Sequence, residues 1–484
     1  MLNEILKNYL KNTIVTKPAI ASRLVNPITN IRYATRLLYV RLRKYSSNFF
    51  NTGTEPRFIS LSGIRGIGKT ILLWHTTNHI FQKHNKDIFF FNVNTLNNLG
   101  IDINIALEEF QNHILKKRFK EITVPFTLLF DEVQDDKNWS KTLNNLYDEA
   151  PTAFILCTGS SELLLNQTDD IADKMHIEKM YPFRFTEYIA AKSSLETAEM
   201  LFPEKGLSEI LTDAIFYSET SQEAFTKIKA AENDINDYFK IIYKALGIPL
   251  CELRQEYINH KNIPNFLSYK EKYPITNTIL DLFNRVILED IPKLNPTLTD
   301  FTKIDRFVHR LAWSDGINPE KLSSIIDVKQ HDINELIDAL SKVEILNVLK
   351  PHNDLDSQIV KNKKAFFMSP SLRKALLTTI YGQRLPDQFK SKLVEDVVVM
   401  YLKRIFTDDV VSFTLGNNEI TPDFVIETLE KPIFLEMGSR QTTTRQIRQS
   451  DENYRYIALV SNLRSVPYHK ENCIHIPLSW FLLL

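Results

Sequence analysis

An eight-residue run at positions 63–70 constrains the fold of this chain more than any other feature. It reads GIRGIGKT, which fits the G-x-x-x-x-G-K-[ST] pattern of a phosphate-binding loop. The apolar segment 58–61 before it predicts a buried strand, and the segment 71–74 after it predicts a helix. In that setting, backbone N–H groups of the loop and the N-terminus of the helix surround a phosphate. The sequence therefore predicts a binding site for a nucleoside triphosphate.

The residue types in the run predict ATP and Mg²⁺ as the ligands. Lys69 should contact the β- and γ-phosphates, and Thr70 should bind Mg²⁺. The predicted nucleotide-binding residues are Gly63, Ile64, Arg65, Gly66, Ile67, Gly68, Lys69, Thr70 and Ile71. The alternative is a glycine-rich turn that matches the pattern by chance.

The chain then alternates as a parallel α/β fold should. Segments 88–93 and 126–130 are apolar and predict strands, and 105–119 between them predicts an amphipathic helix. The strand 126–130 ends in Asp131 and Glu132. Asp131 would bind Mg²⁺ through water, and Glu132 would polarise the attacking water as a catalytic residue together with Lys69. Paired acids at a strand end are otherwise solvated loop residues.

A further apolar segment, 153–158, predicts a strand that ends in the sequence TGSS. A polar residue at the tip of a strand beside the Mg²⁺-binding strand can hold the lytic water or sense the γ-phosphate. Thr158 and Ser160 are the candidates, and Ser160 is the predicted nucleotide contact. Either Ser160 or Ser161 could instead cap a helix.

Together, GIRGIGKT, LLFDEVQ, ILCTGSS and the proline-aromatic run 181–188 resemble a known family. They are similar to the prokaryotic AAA-superfamily ATPases that carry a C-terminal PD-(D/E)XK nuclease-like domain. In that family, an arginine before the proline-phenylalanine run completes the ATPase site. This chain has Ile-Ala-Asp-Lys at 171–174 instead, so Lys174 or Arg184 would have to substitute for the arginine.

The resemblance and the patterning imply an α/β P-loop NTPase with a parallel AAA-type sheet, followed by a helical region, a winged helix and a restriction-endonuclease-like α/β domain. The expected divisions are a basic helical segment at 1–49, the ATPase core at 50–190, a helical region at 191–300, a winged-helix connector at 301–385 and a degraded nuclease-like domain at 386–484.

Charge is unevenly distributed in a chain whose formal net charge is zero. Residues 1–54 contain nine Lys or Arg residues and a single acid, Glu4. This excess suggests an anionic partner near the N-terminus. Arg32, Arg36 and Arg43 are predicted on one face of a helix, where a solvated face of a packing helix is the alternative.

Segment 301–370 predicts three helices and a two-stranded wing. Winged helices often read DNA, but the third helix carries Asp332, Glu335 and Asp338, which would repel phosphates. We therefore expect this module to serve mainly in internal packing. A wing loop with Lys361, Lys363 and Lys364 is its candidate phosphate contact.

The C-terminal segment contains the acids of a second predicted divalent-metal site. Glu395 lies on a predicted helix, Asp423 follows a proline at a strand, and Glu436 ends the next strand. Gly438 stands where the nuclease pattern requires lysine. The domain has then either lost hydrolysis and kept a binding role, or uses a cation such as Arg440 instead. The acids could also be ordinary residues of strand edges.

Basic and amide residues follow this site and predict contacts with DNA across 422–455. The arginines are Arg440, Arg445, Arg448 and Arg455. A solvated helix face is the alternative.

No segment of the sequence approaches a membrane span, and the three cysteines lack metal-ligand spacing. We therefore expect a cytoplasmic Mg²⁺-dependent ATPase that couples its nucleotide state to binding of nucleic acid or a protein partner, with oligomers as an option. The alternatives are an ATP-regulated DNA nuclease and an ATP-dependent switch that never acts on DNA.

Overall fold

The computed structural model divides the chain into two compact units, Met1–Tyr181 and Pro182–Leu484. The residues that the structure describes are 2–84, 87–160, 171, 173–193, 206–269, 272–314, 316–317, 322–324, 329–352, 363–407, 410–414, 422–438, 454–462 and 464–484. Several predicted residues lie outside these ranges, namely Ser161, Lys361, Arg440, Arg445 and Arg448.

The first unit is an alternating α/β arrangement. Its elements are α1 (Leu2–Lys11), α2 (Lys17–Arg23), α3 (Leu38–Thr52), β1 (Phe58–Ser62), α4 (Lys69–Lys83), β2 (Ile88–Asn92), α5 (Val93–Asn98), α6 (Ile103–Phe110), β3 (Phe126–Asp131), α7 (Trp139–Glu149), β4 (Ala153–Gly159) and β5 (His176–Lys179).

Within the described residues, the five strands form one parallel sheet in the order β2-β3-β4-β1-β5. Every residue of β1, β3 and β4 is buried, as expected for parallel strands covered by helices on both faces. The order places β4 between β3 and β1, so the carboxyl ends of all three strands lie side by side. The prediction of a parallel-sheet P-loop NTPase fold is therefore confirmed for this unit.

The basic N-terminal segment belongs to the first unit, and its structure shows that one prediction was wrong. Its α3 begins at Leu38 and packs against α4. Arg32 and Arg36 precede that helix, so they do not share a helix face with Arg43. Arg36 is buried. The apolar pattern around Leu38 is real, but the helix starts later than the pattern suggests.

The N-terminal segment also extends the sheet at the outer side of β2. The Phe90 amide donates to the Thr13 carbonyl at 2.8 Å, and the Val15 amide donates to the Ile88 carbonyl at 2.9 Å. Ile14 thereby pairs with Phe89 in an antiparallel bridge.

The second unit combines helices with a mixed sheet. Its helices are Phe185–Lys192, Leu207–Phe216, Ser221–Ala230, Glu232–Leu246, Leu250–Glu256, Lys272–Arg285, Ile291–Leu294, Phe301–Trp313, Gln330–Lys342, Pro370–Tyr381, Gln388–Ile405 and Leu478–Phe481. Its strands are β6 (Gly316–Ile317), β7 (Leu346–Pro351), β8 (Lys363–Phe367), β9 (Val411–Phe413), β10 (Phe424–Ile426), β11 (Ile433–Gly438), β12 (Ile457–Ser461), β13 (Tyr468–Lys470) and β14 (Cys473–Pro477).

These strands form one sheet among the described residues, in the order β13-β14-β12-β11-β10-β9-β7-β8-β6. The predicted wing hairpin, β7 and β8, is antiparallel, and β7 continues the sheet by pairing in parallel with β9. The hairpin therefore belongs to the same sheet as β11, which carries Glu436.

Helix Gln388–Ile405 is fixed in the core by a buried ion pair. The Arg373 Nε donates to the Asp396 Oδ2 at 2.6 Å, and both side chains are fully buried. The Phe367 amide donates to the other oxygen of Asp396 at 2.8 Å. This network links the helix to β8, which satisfies a carboxylate that would be costly to bury alone.

The last described residues belong to the core of the second unit. Leu478–Phe481 form a short helix, and Trp480 and Leu484 are buried in that core.

Candidate nucleotide-binding site

The loop between β1 and α4 requires glycine at the predicted positions. Gly63, Gly66 and Gly68 have φ angles of 151°, 77° and 92°, which residues other than glycine rarely adopt. A Cβ atom on Gly63 would lie 2.5 Å from the carbonyl oxygen of Met180. The loop is therefore held close to neighbouring backbone, and its conformation is specific to these glycines.

Lys69 begins α4 and folds back over the loop. Its Nζ donates to the carbonyl oxygens of Gly63 at 2.8 Å and Ile64 at 3.2 Å, and the side chain is buried. The ammonium group consequently lies beside the start of the loop, and the N-terminus of α4 lies at its other end. That combination attracts an anion, as the sequence predicts.

Three side chains connect the loop helix to the ends of β3 and β4. The Thr70 hydroxyl donates to Asp131 Oδ1 at 2.9 Å, and the Thr158 hydroxyl donates to the same oxygen at 2.7 Å. The Thr158 oxygen also accepts from the Glu132 amide at 2.9 Å. The structure thus brings Asp131 together with Thr70, 61 positions earlier in the chain, and with Thr158, 27 positions later.

Some features around Asp131 disfavour its charged form, and others favour it. Burial raises the pKa of Asp131, and the nearby charge of Glu132 acts in the same direction. Hydrogen bonds from Thr158 and Thr70 and the charge of Lys69 oppose this rise in pKa. A divalent cation beside this carboxylate would favour the ionised form further.

Glu132 follows in a conformation that is unusual for its residue type. Its φ of 59° and ψ of 53° are left-handed, which costs about 1 kcal/mol for a side chain with a Cβ. The Gln134 amide nitrogen donates to Glu132 Oε2 at 2.5 Å, and the Gln134 oxygen accepts from the Ser160 amide at 3.2 Å. The side chain of the predicted catalytic acid is therefore linked to the tip of β4.

Gln134 is a site residue that sequence reasoning missed. The available signal was an amide two positions after the acid pair in LLFDEVQ. Ser160, which was predicted, has a buried hydroxyl oxygen without a hydrogen-bond partner among the described residues. The capping role for Ser161 falls outside those residues.

These observations fit the group that the motif implies. The glycine conformations, the anchored Lys69 and the linked pair Thr70 and Asp131 are the donor set for a triphosphate and a hard divalent cation. The orphaned hydroxyl of Ser160 is a further polar group able to contact such a ligand. Lys69 would hold phosphate, and Thr70 and Asp131 would hold Mg²⁺.

Both substitutes for the missing family arginine make other contacts. Lys174 pairs with Asp148 of α7 at 2.7 Å in the first unit. Arg184 in the second unit donates from Nη1 to the Ser208 hydroxyl at 3.1 Å. The arginine-finger role of either residue stays a prediction.

The acids of the predicted C-terminal site meet in the second unit. The Asp423 amide donates to Glu436 Oε2 at 3.2 Å, and the Met437 amide donates to Asp423 Oδ2 at 2.7 Å. Burial raises the pKa of Glu436 to about 8, and the charges of Asp423 and Glu395 contribute to the rise. Among the described residues, no cluster of three or more His, Cys, Asp or Glu could hold a metal ion. The shared metal site stays a prediction.

The position expected to hold lysine is crowded by a movable side chain. A Cβ atom on Gly438 would lie 2.8 Å from Cδ1 of Leu459 on the neighbouring strand β12. Leu459 would have to change rotamer to admit a larger residue.

The other predicted phosphate contacts of this unit are partly occupied. Lys363 and Lys364 lie on β8, not in a loop, because the strand begins at Lys363. Lys363 pairs with Asp338 at 3.8 Å. Arg455 donates to the Ser218 carbonyl at 3.2 Å and to the Thr428 hydroxyl at 3.1 Å.

A match to a known protein family agrees with the fold of the first unit. Residues 55–189 match the family model described as an AAA domain. This match supports an AAA-superfamily ATPase. The uncharacterized protein MJ1637 of Methanocaldococcus jannaschii is 25% identical over 487 residues, which cover 99% of this chain and 94% of that protein. The uncharacterized protein MJ1544 of the same organism is 31% identical over 43% of this chain and 53% of its own length.

Two solved structures of Thermotoga maritima proteins show a weak likeness to this chain. The Holliday junction branch migration motor RuvB of Thermotoga maritima is 13% identical, with a TM-score of 0.27 over 64% of this chain and 88% of RuvB. Domain III of the replication initiation protein DnaA from the same organism is 15% identical, with a TM-score of 0.27 over 53% of this chain and all of that domain. Among the described residues, no helix is long and apolar enough to cross a membrane.

Proposed function

We propose that this protein binds and hydrolyses ATP in the first unit and couples its nucleotide state to binding of nucleic acid or a protein partner by the second. The observation that carries the proposal is the hydrogen-bonded connection of Thr70 to Asp131 and Thr158. It joins the helix that follows the phosphate loop to the acid that ends β3. This is the arrangement that Mg²⁺-dependent phosphoryl transfer requires.

Each side chain has a role that follows from its position. Lys69 would neutralise phosphate charge, and Thr70 and Asp131 would hold the metal. Bound Mg²⁺ would offset the negative charge that develops on the phosphates. Glu132 orients the attacking water and accepts its proton, while Gln134 fixes the direction of the Glu132 carboxylate. Ser160 would contact the terminal phosphate, and its backbone amide is hydrogen-bonded to Gln134, which in turn contacts Glu132.

The second unit supplies the binding function in this proposal. Its nuclease-like acids, Asp423 and Glu436, lie together, but Gly438 provides no cation for hydrolysis. We therefore assign this region to binding of DNA or a partner rather than to cleavage. The winged-helix connector, oligomerisation and a cytoplasmic location belong to the same proposal.

A DNA nuclease controlled by ATP is the second candidate. The proximity of Asp423 and Glu436, and the electrostatic influence of Glu395 on Glu436, favour it. In that case, a divalent ion would bind to these acids, and a cation from elsewhere would replace the missing lysine.

The decisive experiment is steady-state ATP hydrolysis with and without duplex DNA, alongside calorimetry with MgATP. We expect Lys69→Ala to abolish nucleotide binding, while Glu132→Gln keeps binding and loses at least about 100-fold in turnover. Lys83→Ala, an exposed lysine at the end of α4, is the matched control and should behave as wild type.

Failure of the wild type to bind nucleotide would refute the proposal. Turnover that does not respond to DNA would instead favour the switch protein that never acts on DNA. Stimulation by duplex DNA would support coupling to nucleic acid.

A further inference from the structure

Arg36 is a buried side chain that joins three segments of the first unit. Its Nη1 donates to the Ile67 carbonyl at 2.8 Å, and its Nη2 donates to the Tyr181 carbonyl at 2.8 Å. Only 9% of the residue is exposed. The rigid planar guanidinium holds both acceptors in one fixed geometry. Arg36 is therefore hydrogen-bonded both to the phosphate loop and to Tyr181, the last residue of the unit.

The bond to Ile67 determines the orientation of a loop amide. A trans peptide is planar, so the Ile67 carbonyl and the Gly68 N–H point in opposite directions. Arg36 therefore directs the Gly68 N–H away from itself. Gly68 has a φ of 92°, and glycine is the residue whose backbone rotates most freely. Without the Arg36 bond, this peptide would sample more orientations.

The hydrogen bond to Tyr181 connects Arg36 to a segment that also contacts the start of the phosphate loop. The Met180 amide donates to the Ser62 carbonyl at 2.7 Å, and the Met180 carbonyl lies against Gly63. Segment 180–181 thus contacts the start of the loop directly and its end through Arg36. Arg36 is itself held, because its carbonyl accepts from the Tyr39 amide at 2.9 Å as α3 begins.

We propose that Arg36 is a positioning residue of the nucleotide site. It holds the Ile67–Gly68 peptide in the orientation that presents the Gly68 amide to a phosphate, and it adds a permanent positive charge behind the loop. The inference deepens the proposed function and rests on it, because it concerns the same nucleotide site. No sequence motif assigns Arg36 to that site.

The test is calorimetric binding of MgATP and MgADP to the full chain. We expect Arg36→Met to weaken binding about tenfold, which equals about 1.4 kcal/mol. Lys44→Met removes an exposed charge from α3 and should leave affinity within twofold of wild type. Thermal unfolding with and without MgATP separates positioning from stability. A purely structural role would lower the Tm of Arg36→Met but keep the nucleotide-induced increase.

Arg36→Lys keeps the charge and provides the test if Arg36→Met does not fold. Lysine has one terminal nitrogen and cannot reproduce the two-pronged geometry, so we expect at least threefold weaker binding. If Arg36→Met folds and its affinity for nucleotide falls less than threefold, the inference is overturned and the proposed function stands. If Arg36→Met does not fold, the same result for Arg36→Lys overturns the inference. Loss of affinity in Lys44→Met equal to that in Arg36→Met would overturn it too. A wild type that binds no nucleotide would overturn both.

Discussion

The two units each bury an acid on a strand, Asp131 in the first and Glu436 in the second, but they compensate for the buried charge differently. In the first unit, Asp131 accepts hydrogen bonds from two hydroxyls and lies near the charge of Lys69. In the second unit, Glu436 faces Asp423 and receives a hydrogen bond from a backbone amide, and its pKa rises to about 8. In the first arrangement, the two hydroxyls and Lys69 oppose the rise in pKa that burial causes in Asp131. The second favours a proton on one of its two acids at neutral pH.

The largest effect should separate the two acid positions by ATP turnover. Asp131→Asn removes the charge that we assign to Mg²⁺ binding, so turnover should fall about 100-fold, or about 2.7 kcal/mol. Asp423→Asn makes the same chemical change in the second unit and should leave turnover within twofold. Steady-state phosphate release measures both. Similar losses in the two variants would mean that the acids do not belong to separate functions.

The next effect tests whether hydroxyls compensate for Asp131. Thr158→Val removes the hydroxyl that donates to the buried Asp131 carboxylate and accepts from the partly buried Glu132 amide. We expect the free energy of unfolding to fall by about 2 kcal/mol.

Thr127→Val is the matched control for this substitution. Thr127 is equally buried on β3, and its hydroxyl has no hydrogen-bond partner among the described residues. Its replacement should change the free energy of unfolding by less than about 0.5 kcal/mol. Equal losses in urea denaturation for the two variants would argue against a special role for Thr158.

Two glycines allow a comparable test of backbone crowding. Gly63→Ala forces a Cβ against the rigid Met180 carbonyl at a φ of 151° and should cost about 2 kcal/mol or more in stability, with weaker nucleotide binding. Gly438→Ala meets only the end of the flexible Leu459 side chain and should cost about 1 kcal/mol or less. Urea denaturation compares them. A Gly438→Ala variant as unstable as Gly63→Ala would show that β11 and β12 are packed as tightly as the phosphate loop.

The smallest expected effect is the absence of DNA cleavage. Supercoiled plasmid incubated with Mg²⁺ or Mn²⁺ should remain intact with the wild type and with Asp423→Ala alike, since no lysine stands at position 438. Nicking by the wild type that Asp423→Ala abolishes would break the comparison and restore the nuclease alternative.

The sequence was most informative where chemistry depends on residues close together in the chain. The loop at 63–70 and the acids at 131–132 could be assigned because glycine, lysine and acid positions follow a fixed local spacing. The sheet then brought these two segments together as the parallel α/β pattern implied. The roles assigned to individual residues remain predictions.

Arg36 could not be found in this way, because positions 36, 67 and 181 meet only through tertiary packing. Apolar periodicity predicted a longer helix than the one that begins at Leu38, and this placed Arg36 on a solvent-facing surface. Gln134 was nearer to recognition, since it lies two residues from Glu132. Lys363 and Lys364 were misplaced because strand β8 begins earlier than the charge pattern suggested.

The short pairing of residues 13–15 with β2 covers part of an edge strand of the sheet. β2 is the last strand of its sheet, and an uncovered outer strand offers a row of free amides and carbonyls to other chains. The Thr13 carbonyl and the Val15 amide take up part of that row. A shortened protein that begins after Val15 should therefore become more prone to form insoluble β-linked assemblies, even with its phosphate loop intact.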